Sequence, residues 1–327
     1  MTSPSASRRE FLLTATGCVA HVLLNAACAP RHTRARWTMP LNPTVTTMPF
    51  ARLDAVATNA WAVVSTPLGG DRTTFANGGI IAGRTGVVVI EGFYREAGAQ
   101  WLAQQARALT GRWPTHVVVS HYHVDHASGV GGYALDGARP QLHVTEETRA
   151  AALGGTPVAP ARSEALSRAF ADVVLTRTTG ETRLDLGDRT VTLEPVRGHT
   201  ASDLVVHEHD AALTYSGDLV WNGMFPNYVD ARPRALHANV NRLVALVSKR
   251  HLLVPGHGAV ADLAAMTRYR GLLDSLEQAA RTGFAAGRSP QETAAAYVVP
   301  LSLGDWMASK TSIERAMGAW WRELGTP

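Results

Sequence analysis

His121-Tyr122-His123-Val124-Asp125-His126 directly follows the apolar run Val117-Val118-Val119. Residues two apart on an extended segment point to the same side, so His121 and His123 can bind one metal ion. The side chains of Asp125 and His126, which follow in the chain, then turn toward a position next to that metal ion. A solvated histidine-rich loop is the alternative explanation, and the presence of further ligands downstream decides between the two.

Three more candidate ligands follow short apolar segments later in the chain. His199 comes after the alternating segment 191–196, Asp218 after the apolar segment 204–214, and His257 after Leu252 and Leu253. A glycine adjoins each candidate, which lets the backbone turn tightly and approach a metal without a Cβ clash. A single histidine after a strand is weak evidence for a site, but four such places in order are strong evidence.

This ordered set resembles the metallo-β-lactamase superfamily of binuclear metallohydrolases. The resemblance extends from about Trp61 to His257, with a helical tail beyond it. The segments that resemble the family's opening strands are Asn77-Gly78-Gly79-Ile80-Ile81 and Gly86-Val87-Val88-Val89-Ile90-Glu91-Gly92. Glu91 stands where the family more often has Asp, at a structural position. The resemblance implies an α/β fold, an αβ/βα four-layer sandwich with helices outside two facing sheets.

The resemblance also implies the metal ligands. His121, His123 and His199 would hold a first metal, Asp125, His126 and His257 a second, and Asp218 would bridge the two. Five imidazoles and two carboxylates without a thiolate suit two zinc ions and also permit iron or manganese. Two such ions roughly 3.5–4 Å apart would share a hydroxide that attacks the substrate. Asp125 is the expected catalytic residue, because its carboxylate would orient this nucleophile.

Departures from some family members narrow the expected reaction. His123 stands where di-iron flavoprotein relatives have Glu, which argues against reduction of oxygen or nitric oxide. Asp218 stands where subclasses of β-lactamases have Cys or Ser, and the following Leu219-Val220-Trp221 lacks the lysine that one subclass uses for the substrate carboxylate. These features favour hydrolysis of an ester, thioester or lactone. The alternatives are a β-lactamase, an iron-dependent enzyme similar to persulfide dioxygenases, and an accessory protein of a periplasmic quinoprotein system.

The charge distribution argues for a small-molecule substrate rather than nucleic acid. The sequence pI is about 9.3. Residues 1–36 hold five of the 31 Lys and Arg residues and one of the 27 acidic residues, which leaves 26 of each in the remainder. Because the remainder is neutral and has no separate basic arm of the kind found in RNA-processing relatives, no nucleic-acid groove is expected.

The N-terminal segment Ser7-Arg8-Arg9-Glu10-Phe11-Leu12 resembles a twin-arginine export signal. The apolar stretch after it, from Leu12 to Cys28, spans 17 residues and includes His21 and Asn25, which is poor for a spanning helix. A disordered basic terminus or a short anchor are the alternatives. We predict an export signal at 1–29, a linker at 30–50 and the hydrolase domain with its helical tail at 51–327. The expected location is the periplasm or cell envelope.

Both cysteines, Cys18 and Cys28, lie in this leader, so no disulfide can stabilise the mature domain. Ala26-Ala27-Cys28 resembles the end of a lipoprotein cleavage site, although Asn25 occupies a place where an aliphatic residue is preferred. Cleavage after Ala29 is the alternative, although Pro30 just beyond the cut disfavours it. Contact with a membrane is therefore expected only through a lipid anchor at Cys28.

Local patterns predict the order of helices and strands. Strands are predicted at 57–66, 75–82, 87–90, 115–119, 182–196 and 204–214. Helices are predicted at 95–109, within 145–171 around a loop at 154–160, and at 236–248, 260–285 and 290–296. The last helix is predicted to start at a capping box, Thr311 to Glu314, and to bury Ile313, Met317, Trp320 and Leu324.

Four large side chains follow Asp218 on a loop that should lie beside the metals: Trp221, Met224, Phe225 and Tyr228. They are the candidate substrate-binding residues, because together they could form an apolar wall for an acyl or aromatic group. The alternative is a loop that is anchored by aromatic packing and does not contact the substrate.

Overall fold

Apolar segments of the chain form an eight-stranded and a five-stranded sheet in the computed structural model. It describes residues 43–66, 70–154, 164–171, 173–247 and 251–325. The predicted leader, the first part of the predicted linker (30–42) and most of the predicted loop 154–160 lie outside the described residues.

The eight-stranded sheet contains the strands of the first half of the chain in sequence order. These are β1 (Thr44–Met48), β2 (Ala51–Ala57), β3 (Ala60–Ser65), β4 (Gly78–Ala82), β5 (Val87–Ile90), β6 (His116–Val118), β7 (Gln141–Val144) and β8 (Val173–Leu175). Neighbours from β1 to β5 are antiparallel, and those from β5 to β8 are parallel. The four residues of β5 are all buried, as expected for a strand covered on both faces.

The five-stranded sheet has the order β13-β12-β11-β10-β9. Its strands are β9 (Thr182–Asp185), β10 (Thr190–Val196), β11 (Asp203–Glu208), β12 (Leu213–Tyr215) and β13 (Leu252–Val254). Because β11 is antiparallel to both β10 and β12, and β13 is parallel to β12, the strands β10, β12 and β13 point the same way. Their carboxyl ends therefore lie at one edge of the sheet.

Helices surround the two sheets. They are α1 (Glu96–Thr110), α2 (Val124–Ala127), α3 (Glu146–Gly154), α4 (Glu164–Ala169), α5 (Pro233–Val247), α6 (Leu263–Ala285), α7 (Pro290–Ala296) and α8 (Lys310–Leu324). The short α2 among them carries the predicted ligands Asp125 and His126. Among the described residues, no helix has the length and apolar character needed to cross a membrane.

Three apolar clusters fill the spaces between four layers. The central cluster joins residues of the first sheet, such as Ile81 and Val88, to residues of the second, such as Val206. A second cluster packs the outer face of the first sheet against α1. The third packs the second sheet against α5, α6 and α8. This arrangement is the αβ/βα sandwich predicted from the sequence, and that prediction is confirmed.

Two local predictions are wrong. The predicted linker 30–50 includes β1, whose residues 44–48 pair with β2, so the folded domain begins earlier than residue 51. The last helix begins at Lys310, and its capping box joins Ser309 to Ser312, because Ser309 is the last extended residue before the helix. Thr311 already lies in the first turn and therefore cannot be the cap.

Trp320 of α8 is 1% exposed in the third cluster, whereas its neighbour Trp321 is only half-buried. We expect Trp320→Ala to lower the free energy of unfolding by about 3–5 kcal/mol, because it removes a buried indole and leaves a cavity. Trp321→Ala is the matched control and should cost clearly less. Urea denaturation followed by circular dichroism measures both, and equal losses would contradict the packing described here.

Candidate metal centre

The seven predicted ligands all follow the carboxyl ends of strands. The residues His121 to His126 follow β6 of the first sheet, while His199, Asp218 and His257 follow β10, β12 and β13. The parallel direction of these last three strands places their ends at the same sheet edge. A backbone hydrogen bond of 2.8 Å from Leu204 N to Ser120 O joins this edge to the histidine-rich segment.

The ligands form two groups that match the sets implied by the sequence. His121, His123, His199 and Asp218 are one group, and Asp125, His126 and His257 are the other. Within each group, the candidate ligand atoms lie within 4.8 Å of one another. All seven residues are buried except Asp125, which is partly exposed. Asp125 is therefore the ligand best placed to reach a substrate.

Asp218 lies between the two groups. Its Oδ2 atom is 3.2 Å from His199 Nε2 and 3.9 Å from His121 Nε2, both in the first group. Its Oδ1 atom is 3.1 Å from His126 Nε2 and 3.3 Å from His257 Nε2, both in the second. Each carboxylate oxygen thus faces a different group, as a bridging ligand must.

The donor atoms fit divalent metal ions. Among the described residues, buried side-chain atoms without a hydrogen bond include Nε2 of His121, His126 and His257 and Oδ1 of Asp218. These atoms converge on the same two places and contact one another only as ion pairs of 3.1–3.9 Å, and buried polar atoms without a hydrogen bond require an explanation such as a bound ion. Imidazole nitrogens and carboxylate oxygens are ligands that zinc, iron and manganese accept.

The two groups differ in protonation in the absence of metal. Burial lowers the pKa of His121 well below its ordinary value and that of His199 to about 3, so both are neutral and offer lone pairs. In the second group, burial also opposes the charge of His257, but Asp218 and Asp125 outweigh it and raise its pKa to about 9. Burial likewise opposes ionisation of Asp125, yet His126 and His257 lower its pKa to about 2. Ion pairs therefore hold the second group together, and a metal ion bound there would displace the proton.

Two residues let the His257 loop approach the centre. A Cβ on Gly256 would collide with Asp218 Oδ1, so only glycine fits this position. Asn77 braces the same loop, because its Nδ2 donates to Pro255 O at 2.9 Å and Gly258 O at 2.7 Å. The opening segment of the fold thereby positions the last ligand of the chain.

Glu91 and Ser120 support the imidazoles from behind. Glu91 Oε1 lies 3.1 Å from His126 Nδ1, and its Oε2 accepts a hydrogen bond from Ser120 N at 3.1 Å. Ser120 Oγ lies 2.9 Å from His121 Nδ1. Such contacts fix the orientation and tautomer of a ligand. Glu91, which was expected at a structural position, therefore contacts a candidate metal ligand directly.

Asp230 is a supporting residue that the sequence did not reveal. Its Oδ2 accepts a hydrogen bond from the Tyr122 hydroxyl and lies 3.5 Å from His123 Nε2. The contact with His123 lowers the pKa of Asp230 against the effect of burial. The other ring nitrogen, His123 Nδ1, lies 2.9 Å from His199 Nε2 and so faces the first group. The one signal in the sequence that could have indicated Asp230 is its position three residues before the start of α5.

All four candidate substrate-binding side chains belong to the third apolar cluster, and two of them also reach the site. The Trp221 ring stacks on His257 at 4.0 Å between centroids, and its Nε1 donates to Asp218 O at 3.1 Å. Met224 lines a cavity beside His257. Phe225 and Tyr228 are buried in the cluster beneath α5, α6 and α8, which is the packing role left open by the sequence.

Comparison with known protein families identifies the class of protein. A family model described as the Metallo-beta-lactamase superfamily matches residues 72–257, more than half of the chain. The chain therefore belongs to the metallo-β-lactamase superfamily, whose members are typically hydrolases. A comparison with curated proteins gives no match.

Solved structures share the fold at low sequence identity. A stereoselective inverting sec-alkylsulfatase, Pisa1 from Pseudomonas sp., has a TM-score of 0.65 and 15% identity over 84% of this chain and 50% of its own. The present chain thus spans about half the length of that protein. The metallo-β-lactamase from Pontibacter korlensis has a TM-score of 0.54 and 18% identity over 68% of this chain and 99% of its own. The metallo-β-lactamase FIM-1 from Pseudomonas aeruginosa, in its mono-zinc form, has a TM-score of 0.54 and 14% identity over 72% of this chain and 97% of its own. At these identities the similarity establishes the fold alone.

The contact between Asp230 and His123 predicts a loss of metal affinity on mutation. We expect Asp230→Asn to weaken the binding of one metal equivalent about 10–100-fold, because His123 loses the carboxylate that orients it. Competition with a chelator measures the affinity. Asp136→Asn, on an exposed turn, is the control and should bind both equivalents normally. Unchanged affinity in Asp230→Asn would show that His123 does not depend on this contact.

Proposed function

We propose that the protein is an exported hydrolase that binds two zinc ions and cleaves an ester, thioester or lactone bond in a small molecule. The observation that carries this proposal is the position of Asp218, whose two oxygens face separate groups of ligands. The presence of a candidate ligand at each of the seven positions argues against an accessory protein without activity.

Each group of side chains has a distinct task in this proposal. One ion would be held by His121, His123 and His199. The other would be held by Asp125, His126 and His257, and Asp218 would contact both ions. Such ions, when bound, polarise the substrate and lower the pKa of water toward neutrality. Asp125 is ionised at neutral pH and lies at the exposed side of the centre, where its carboxylate can accept a hydrogen bond from the attacking water.

The lining of the cavity beside His257 favours an ester, thioester or lactone over a β-lactam. The segment after Asp218 has no lysine, and the described residues that line the cavity beside His257 include no Lys or Arg. A substrate carboxylate would therefore find no charged partner there. A β-lactamase and a persulfide dioxygenase stay as alternatives, and the sec-alkylsulfatase similarity adds a sulfate ester to the substrates worth testing.

Replacement of Asp125 tests the hydrolytic role. The zinc-loaded protein is first assayed with a lactone, a thioester, an ester, a β-lactam, a phosphodiester and a secondary alkyl sulfate. For the substrate that is cleaved, we expect Asp125→Asn to lower kcat/KM roughly 10²–10⁴-fold, because the carboxylate that orients the nucleophile is lost. Asp210→Asn, at an exposed turn, is the control and should retain full activity.

Two results would overturn the assignment. Hydrolysis that survives in Asp125→Asn would refute the proposed role of this carboxylate. Purified protein that contains iron and consumes oxygen in the presence of a persulfide would favour the dioxygenase alternative. Metal analysis by mass spectrometry and an oxygen electrode distinguish that case from a zinc hydrolase.

Export is proposed from the leader alone. Arg8 and Arg9 form the twin-arginine pair, and this route carries folded proteins, so zinc could be inserted before transport. We expect the double variant Arg8→Lys/Arg9→Lys to remain in the cytoplasm on cell fractionation, whereas Arg31→Lys, outside the pair, should be exported. Equal export of both variants would contradict the proposal.

A lipid anchor at Cys28 is tested by growth with labelled palmitate. Incorporation of the label that is lost in Cys28→Ser would identify the anchor, whereas no incorporation in the unmodified protein would indicate a free periplasmic protein.

A further inference from the structure

A cavity of about 130 Å³ shares His257 with the metal centre. Its other walls come from four separate parts of the chain, the first being Ser65 and Thr66 at the end of β3. Phe75 and Asn77 precede β4, Asn222 and Met224 follow Asp218, and Met307 precedes α8. Met307 lies outside the segment 72–257 that matches the superfamily, so this wall belongs to the helical tail.

Two amide side chains in the cavity wall already have hydrogen-bond partners in the protein. Asn77 Oδ1 accepts from Ser65 N at 2.9 Å, and its Nδ2 donates to two carbonyl groups of the His257 loop. Asn222 Nδ2 donates to Ala259 O at 2.9 Å. Among the described lining residues there is no Asp, Glu, Lys or Arg. A charged group inside the cavity would therefore lose hydration, and His257, the one titratable side chain among the described lining residues, is itself a candidate metal ligand.

The remaining surface is apolar and adaptable. The Phe75 ring meets the His257 ring edge-on, with 6.3 Å between centroids, and Arg72 covers Phe75 at 5.2 Å. Met224 and Met307 are joined by a parallel β-bridge. Met307 is 57% exposed, which is unusual for a large apolar side chain and leaves it available to a ligand. Methionine side chains adapt to ligands of different shape.

We propose that this cavity binds an uncharged apolar group of the substrate, about the size of one benzene ring. An apolar protein cavity of roughly 150 Å³ is known to hold benzene, so the volume here suits a phenyl group or a chain of similar carbon number. The inference rests on the proposed hydrolase function, because His257 places the cavity beside the reacting bond. It narrows the substrate to one with a short alkyl or aryl group next to that bond.

The first test measures binding without any reaction. The zinc-loaded protein, labelled with ¹³C at its methionine methyl groups, is titrated with toluene and followed by NMR. We expect saturable shifts of Met224 and Met307, identified from the spectra of Met224→Leu and Met307→Leu. The buried core residues Met266 and Met317 are internal controls and should not shift. Benzylammonium, the charged probe, should bind at least about tenfold more weakly. Equal affinity for the two probes, or no shift of Met224 and Met307, would overturn the inference.

The second test uses hydrolysis of 4-nitrophenyl esters with acyl chains from acetyl to decanoyl. We expect kcat/KM to be highest near hexanoyl and the hexanoyl-to-acetyl ratio to fall about tenfold in Met307→Ser, because the apolar wall is removed. Leu301→Ser is the matched control, since Leu301 lies in the same tail, is 96% exposed and does not line the cavity. Its ratio should equal that of the unmodified protein.

The two tests separate this inference from the proposed function. Toluene binding at Met224 and Met307 without cleavage of any ester would support the cavity and count against ester hydrolysis. Cleavage of esters without toluene binding and without dependence on chain length would support the hydrolase and refute the cavity.

Discussion

The buried carboxylate of Asp218 is the constraint on which the rest of the site depends. Its side chain lies at the centre of the ligand cluster and is almost inaccessible to water. A buried negative charge costs several kcal/mol unless positive charge compensates it. Without metal, His126 and His257 provide that charge, since Asp218 raises the pKa of both imidazoles. A divalent ion held by the same side chains would supply this compensating charge directly.

The sheet topology explains why the ligands meet. β10 and β12 point the same way because β11 runs antiparallel between them, and β13 pairs with β12 in parallel. Each of these three strands ends two residues before a glycine, and the candidate ligand directly follows that glycine. One sheet edge therefore receives three candidate ligands. The first sheet supplies the histidine-rich segment across the interface. The fold thus fixes the metal centre through backbone direction, and the glycines allow the close approach.

The ligands could be predicted from the sequence because their signal is local. His121 to His126 form one short motif, and each later ligand follows its own apolar strand. The role of Asp230 could not be predicted, since its contact with Tyr122 joins residues that are 108 positions apart. β1 was missed for a similar reason: residues 44–48 are mostly exposed and become a strand only by pairing with β2. Local patterns identify chemistry and strong elements, whereas contacts between distant segments depend on the folded chain.

The metal centre and the cavity beside it share His257, but the cavity also draws on the chain beyond the matched segment. The centre lies wholly within the segment that matches the superfamily, but Met307 in the cavity wall belongs to the tail that follows it. Function in such folds depends on the site rather than on the fold, and a wall contributed from outside the common segment can change without disturbing the ligands. The candidate ligands of the metal centre therefore lie in the segment common to the superfamily, while the proposed apolar cavity also uses Met307 from beyond it.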